Sequence, residues 1–163
     1  MTIRTIARNI FPLFMAVLVS ATSCSKALKN FDNKLVMQPT GYETLYIYGG
    51  KNHTVFLGLL NGSKYDSDSI WDKYGEYGSK YNSNSIWNKY GEYGGKYGSY
   101  SPFNDFASYP PILLDDQNNF YGYFTSGYKT NKANFALVDI ICKYHEQIAE
   151  NPGNWYDKIF YGF

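Results

Sequence analysis

The sequence predicts an α+β domain, and three observations predict it. There are two hairpin-like segments at 45–60 and 112–125, three tandem 16-residue units between them at 62–109, and one long amphipathic helix at 131–150. The tandem units are the most specific of the three. They read GSKYDSDSIWDKYGEY (62–77), GSKYNSNSIWNKYGEY (78–93) and a worn third copy, GGKYGSYSPFNDFASY (94–109). In this register Lys64, Lys80 and Lys96 coincide, as do Tyr65, Tyr81 and Tyr97, then Trp71, Trp87 and Phe103, then Tyr74, Tyr90 and Phe106. A unit this short buries its apolar side chains chiefly by stacking on its neighbours, so the copies are expected to form one ordered stack.

Residues 1–24 carry the pattern of a secretory signal: Arg4 and Arg8 in front, an apolar run at 10–19, and small residues at 21–23. The apolar run is about half of the roughly 20 residues that a transmembrane helix needs, and Pro12 interrupts it. Ala21-Thr22-Ser23 directly before Cys24 resembles the lipobox of bacterial lipoproteins, with Ala21 standing where Leu is commonest. That resemblance covers the first 24 residues and implies that Cys24 is acylated and becomes the new N-terminus, anchoring the chain to a membrane. It also implies a cell-envelope location, the outer membrane in a Gram-negative cell, because Ser25 rather than Asp follows the cysteine. Cleavage by the general signal peptidase is the other reading of the same residues and gives a secreted or periplasmic protein. The chain has 2 cysteines, so lipid on Cys24 leaves Cys142 as a small buried hydrophobe on the helix. A free Cys24 would instead allow a Cys24–Cys142 disulfide in the oxidising envelope. Residues 25–41 show no sustained period and read as a tether, which leaves 42–163 as a single domain.

Charge limits the partners. Of the 15 basic residues, Arg4 and Arg8 fall in the leader, which leaves 13 lysines against 14 acidic residues and no arginine. A protein that reads phosphates or base edges uses arginine forks on a basic face, so nucleic acid is not an expected partner. The 18 Tyr, 11 Phe and 3 Trp come with Gly, Ser and Asn. This is unlike the aromatic-poor, charged composition of disorder, and predicts an ordered, turn-rich fold.

The two flanking segments match in layout. LYIYGGKNHTVFLGLL (45–60) has β-rich residues on either side of Gly49-Gly50-Lys51-Asn52, and ILLDDQNNFYGYFT (112–125) has them around Asp115-Asp116-Gln117-Asn118-Asn119. Gly58 and Gly122 fall inside strands, where glycine marks a bulge or a close backbone approach. Within each tandem unit, Ser69 with Asp72 forms a capping-box pattern over 70–74 that Gly75 ends, so a single helical turn is expected there. Ser85, Asn88 and Gly91 repeat the pattern, and Pro102 stands at a first helical position after Ser101.

The run GSKYxSxSIWNKYGxYGSKY and the hairpin that follows it resemble small bacterial proteins of unassigned function. The resemblance spans about residues 55–125 and implies no activity. Further on, Leu137, Ile140, Ile141, Tyr144 and Ile148 make an apolar stripe at helical spacing, and Asn151-Pro152-Gly153 is expected to stop the helix. The tail from 154 on ends in an aromatic residue and is expected to pack on the domain, because one chain of this length cannot supply a barrel of ten-residue strands.

Chemistry is sparse. His53 and His145 are the 2 histidines, with no second ligand at metal spacing, and neither a nucleophile elbow nor a phosphate loop is present. No enzymatic activity and no cofactor are therefore expected. Asp66, Asp68 and Asp72 form a weak hard-cation candidate, but their spacing does not fit an EF-hand loop and capping accounts for them. The remaining functional candidate is the aromatic ladder. Tyr with Ser, Gly and Asn is the composition of adaptable recognition surfaces. Trp71, Tyr77, Trp87 and Tyr93 are thus candidate contacts for an envelope glycan or an extended peptide, with core packing the competing role of the two tryptophans. A structural envelope lipoprotein acting through a protein partner is the alternative.

Overall fold

A computed structural model describes residues 43–162, so the leader, Cys24 and the tether lie outside the described residues. Two hairpins form the sheet. β1 (Tyr46–Gly49) leads into β2 (Val55–Leu59), and β3 (Ile112–Leu114) into β4 (Phe120–Tyr123). The order is β2-β1-β3-β4 with every pair antiparallel, so the hairpins join through β1 and β3. Gly58 and Gly122, at φ +108° and +111°, lie where the register slips in each hairpin, a backbone conformation that only glycine adopts without strain. The next residue in each case, Leu59 or Tyr123, forms a parallel bridge to a later segment, at Ser69 and Lys132. A Cβ at Gly122 would sit 2.5 Å from the backbone nitrogen of Ala133.

Between the hairpins, 62–109 is a run of consecutive turns and contains no helix. This corrects the expected helical turn over 70–74. The N–H groups of Asp66, Ser69, Asp72 and Gly75 donate to the carbonyls of Ser63, Asp66, Ser69 and Asp72, three residues back each time. A step of four, from Ser79 to Gly75, completes the unit, and Gly95 to Gly91 repeats it in the next copy. The hinge residues explain why no helix forms. Asp66 Oδ1 accepts the N–H of Asp68 at 2.9 Å, Ser69 Oγ that of Trp71 at 3.2 Å, and Asp72 Oδ1 that of Tyr74 at 3.0 Å. A short side chain able to cap a helix recurs at every third position. Each turn is therefore capped anew before a helical bond to the fourth residue forms.

One step in each copy points inward: Ser69-Ile70-Trp71, Ser85-Ile86-Trp87 and Ser101-Pro102-Phe103 are all buried. Ring centres lie 6.0 Å apart from Trp71 to Trp87 and 6.1 Å apart from Trp87 to Phe103, so the copies stack as a column. The buried indole N–H groups are satisfied by main chain, Trp71 donating to the Leu60 carbonyl and Trp87 to that of Ile70.

Two helices cover the column and the sheet. α1 spans Ala136–Glu150 and α2 spans Pro152–Tyr161. The helix expected over 131–150 starts later because the Tyr123–Lys132 bridge holds that segment against β4 and Asn131 takes φ +59°. The expected stop is also a start. Asn151 Oδ1 accepts the N–H of Asn154, and Pro152 occupies the first turn, where a missing N–H costs nothing, so α2 begins at once. The tail thus packs as a helix, with Tyr156 and Phe160 each 6.0 Å from Trp71. Val138, Ile141 and Ile148 of α1 join Ile47, Leu57, Leu113 and Tyr121 of the sheet and the column in one core. Ile112, Leu114, Phe120 and Tyr123 form a second cluster. No helix among the described residues is long and apolar enough to cross a membrane.

Candidate ligand-binding groove

The inward steps fix which side chains face out. Tyr65, Tyr81 and Tyr97 form one row at equivalent positions and Tyr74, Tyr90 and Phe106 a second, and all six rings are between 82% and 91% exposed. Each of the five tyrosines follows a lysine whose ammonium lies over its ring, from 4.8 Å for Lys73 over Tyr74 to 6.0 Å for Lys96 over Tyr97. The outer surface is thus two rows of cation–ring pairs, not aromatic rings alone.

The lysines of the first row also meet the helices. Lys64 Nζ donates to the Asp157 carboxylate at 2.5 and 2.7 Å, and Lys80 Nζ to Glu150 Oε2 at 2.5 Å. The hydrogen bond to Asp157 raises the pKa of Lys64, and the bond from Lys80 lowers that of Glu150. Beside these pairs a groove of about 850 Å³ opens between the second and third copies and α1. Ile86, Trp87 and Phe103 line its apolar part, Tyr81, Tyr90 and Tyr97 contribute rings, and Lys80, Lys89 and Lys96 contribute charge. From α1 come His145, Glu146 and Glu150. His145 lies flat on Phe103 at 4.2 Å and donates through Nδ1 to the Cys142 carbonyl.

The residues singled out from the sequence are placed differently from one another. Trp71 and Trp87, 0% and 2% exposed, belong to the core column, and Trp87 reaches the groove only as part of its apolar floor. Tyr77 and Tyr93 are half-buried and dock the stack on the sheet: Tyr77 meets Phe56 edge-on at 4.9 Å, and Tyr93 lies over Gly49. Burial raises the pKa of both phenols. Asp66 and Asp72 use side-chain oxygens as turn hinges, and among the described residues no three metal-ligating side chains converge. His53 is buried rather than on the surface, its Nε2 donating to the Pro110 carbonyl at 2.9 Å. Among the described residues Cys142 has no disulfide partner, and burial pushes its thiol pKa up to about 12. The capping-box pattern in each unit reads equally as a helical turn, which hides the exposed rows in the sequence. The signal that marks them is the pair of residues after each hinge, Lys-Tyr on outward steps against Ile-Trp on inward ones.

Comparison with family models, curated proteins and solved structures gives no match for this chain.

Proposed function

We propose that this chain is a non-enzymatic binding protein of the cell envelope, exported and lipid-anchored through Cys24, whose turn stack presents paired lysines and tyrosines to an extended glycan. The observation that carries the reading is the exposure of six large rings, 82% to 91%, at equivalent positions of three copies. Exposed aromatics in a patch are characteristic of recognition surfaces, and tyrosine offers a large rigid contact at small entropic cost. The main-chain hydrogen bonds of His53 and His145 and the burial that raises the pKa of the Cys142 thiol support the non-enzymatic part.

A glycan array tests it. The chain binds at least one class of saccharide, and replacing Tyr81 and Tyr97 by Ala abolishes that binding with little change in melting temperature. Recovery of one stoichiometric envelope protein, with no saccharide bound, would select the protein-partner alternative.

A further inference from the structure

We infer that the groove between the second and third copies and α1 selects a carboxylate-bearing polysaccharide, with Lys89 and Lys96 holding carboxylates and Tyr81, Tyr90 and Tyr97 holding sugar faces. This rests on the glycan reading above and adds the charge of the ligand and the copies that bind it.

The lysine series supplies the first argument. Lys64 and Lys80, at the same place in copies one and two, each close on a carboxylate of the helices. Lys96 is the third of the series and is exposed, yet among the described residues it closes on no carboxylate. Glu146 lines the same groove one helical turn before Glu150, but among the described residues it makes no ion pair with Lys96. A position that takes a carboxylate in two copies is left open in the third, where the groove lies.

Charge supplies the second. Copy one carries Asp66, Asp68, Asp72 and Glu76 against two lysines. Copy two has Asn82, Asn84 and Asn88 at the three aspartate positions, and carries Glu92 against two lysines. The hinges do not need the charge. Asn82 Oδ1 accepts the N–H of Asn84 at 3.0 Å and Asn88 Oδ1 that of Tyr90 at 3.1 Å, as Asp66 and Asp72 do in copy one. The hinge bond and the charge are therefore separable here, and of the three negative charges absent from copy two one falls at Asn88, which lines the groove with Lys89 and Lys96.

The flanking rings favour a sugar acid over other polyanions. Beyond the leader the chain has no arginine for a bidentate grip on either phosphate or carboxylate, and its single-point ammonium groups take either anion, so the tyrosine rings that the glycan reading assigns to sugar faces select carboxylates spaced along sugar rings. Titration calorimetry on the full chain tests this with an oligogalacturonide, its neutral methyl ester, poly-glutamate and oligo-dT. The acid binds about tenfold more tightly than the ester, and the preference weakens with salt. Lys89→Gln with Lys96→Gln removes the preference. Asn88→Asp, which installs the hinge that copy one already uses and gives up the amide bond to the Asn82 carbonyl, also removes it, with a loss of melting temperature no larger than that of Asn88→Ala; Lys158→Gln, on α2 outside the groove lining, alters neither. Equal affinity for acid and ester overturns the charge inference and leaves the aromatic reading standing. Tighter binding of poly-glutamate or oligo-dT, or binding of no saccharide, overturns both.

Discussion

Steps 85–87 and 88–90 of the second copy share one backbone design. Each opens on a hinge whose carbonyl accepts the N–H three residues on and whose side chain accepts the N–H two residues on, from Ser85 in one case and Asn88 in the other. Yet Ser85-Ile86-Trp87 is buried, while in Asn88-Lys89-Tyr90 the tyrosine is 88% exposed. Hydrogen bonding is satisfied locally in both, so it does not decide which step turns inward. The two side chains after the hinge decide: Ile and Trp find apolar partners in the helices and neighbouring copies, whereas Lys and Tyr stay hydrated and pair with each other. The exposed rings are thus no requirement of folding, which is why they are open to a binding role.

The sharpest way to break the comparison is Trp87→Ala. It removes the middle ring of the column and the indole bond to Ile70, and should cost about 3–5 kcal/mol in a urea titration. A loss no larger than that of an exposed ring would mean that the column does not hold the stack.

A second test uses the same hinge in a buried setting. Asp115 accepts the N–H groups of Gln117 and Asn119 on Oδ1, the Asn119 amide and the Tyr121 hydroxyl on Oδ2, and the Asn118 N–H on its carbonyl. Burial opposes its ionised form, but the bonds from Asn119, Gln117 and Tyr121 outweigh it and hold the carboxyl below its ordinary pKa. The Tyr121 phenol is pushed up to about 12, by burial first and by Asp115 next. A carboxyl depressed in the folded state adds stability that is full above the unfolded pKa of about 4 and is lost as pH falls through the lower folded value. Asp115→Asn should therefore cost about 1–3 kcal/mol near neutral pH and flatten the acid side of the stability profile. An unchanged profile would show that Asp115 needs only acceptor oxygens and no charge.

The smallest effect is expected on the outer face. Tyr90→Ala should change stability by no more than about 0.5 kcal/mol, measured in the same urea titration. A larger loss would make the rows structural and remove the ground for a binding role.

Much of the architecture is legible in the residues themselves. The β-rich runs around Gly-Asn and Asp-Asn clusters mark both hairpins, and glycine at 58 and 122 marks their bulges, because few residues tolerate that backbone. The interior of the units was less legible. Ser69 with Asp72 is the same signal at a helix start and in a chain of turns, and only its recurrence every three residues separates the two. Asn151-Pro152 was ambiguous for a related reason, since proline suits both the residue after one helix and the first turn of the next. Of the candidates in the aromatic ladder, Trp71 and Trp87 take the core role that competed with binding, because large rings are what a stack short of aliphatics buries first.

The single four-residue step that closes each of the first two units has a consequence for how such a chain changes length. Steps of three alone would never bring the count to 16, and the longer one resets the phase so that the next indole lands over the last. Whole units can be gained or lost with every ring kept on its own side, whereas loss of one three-residue step would swing all later tryptophans toward water. The length of the outer rows is therefore adjustable only in whole-unit increments, each unit of the kind seen in copies one and two adding two more lysine–tyrosine pairs.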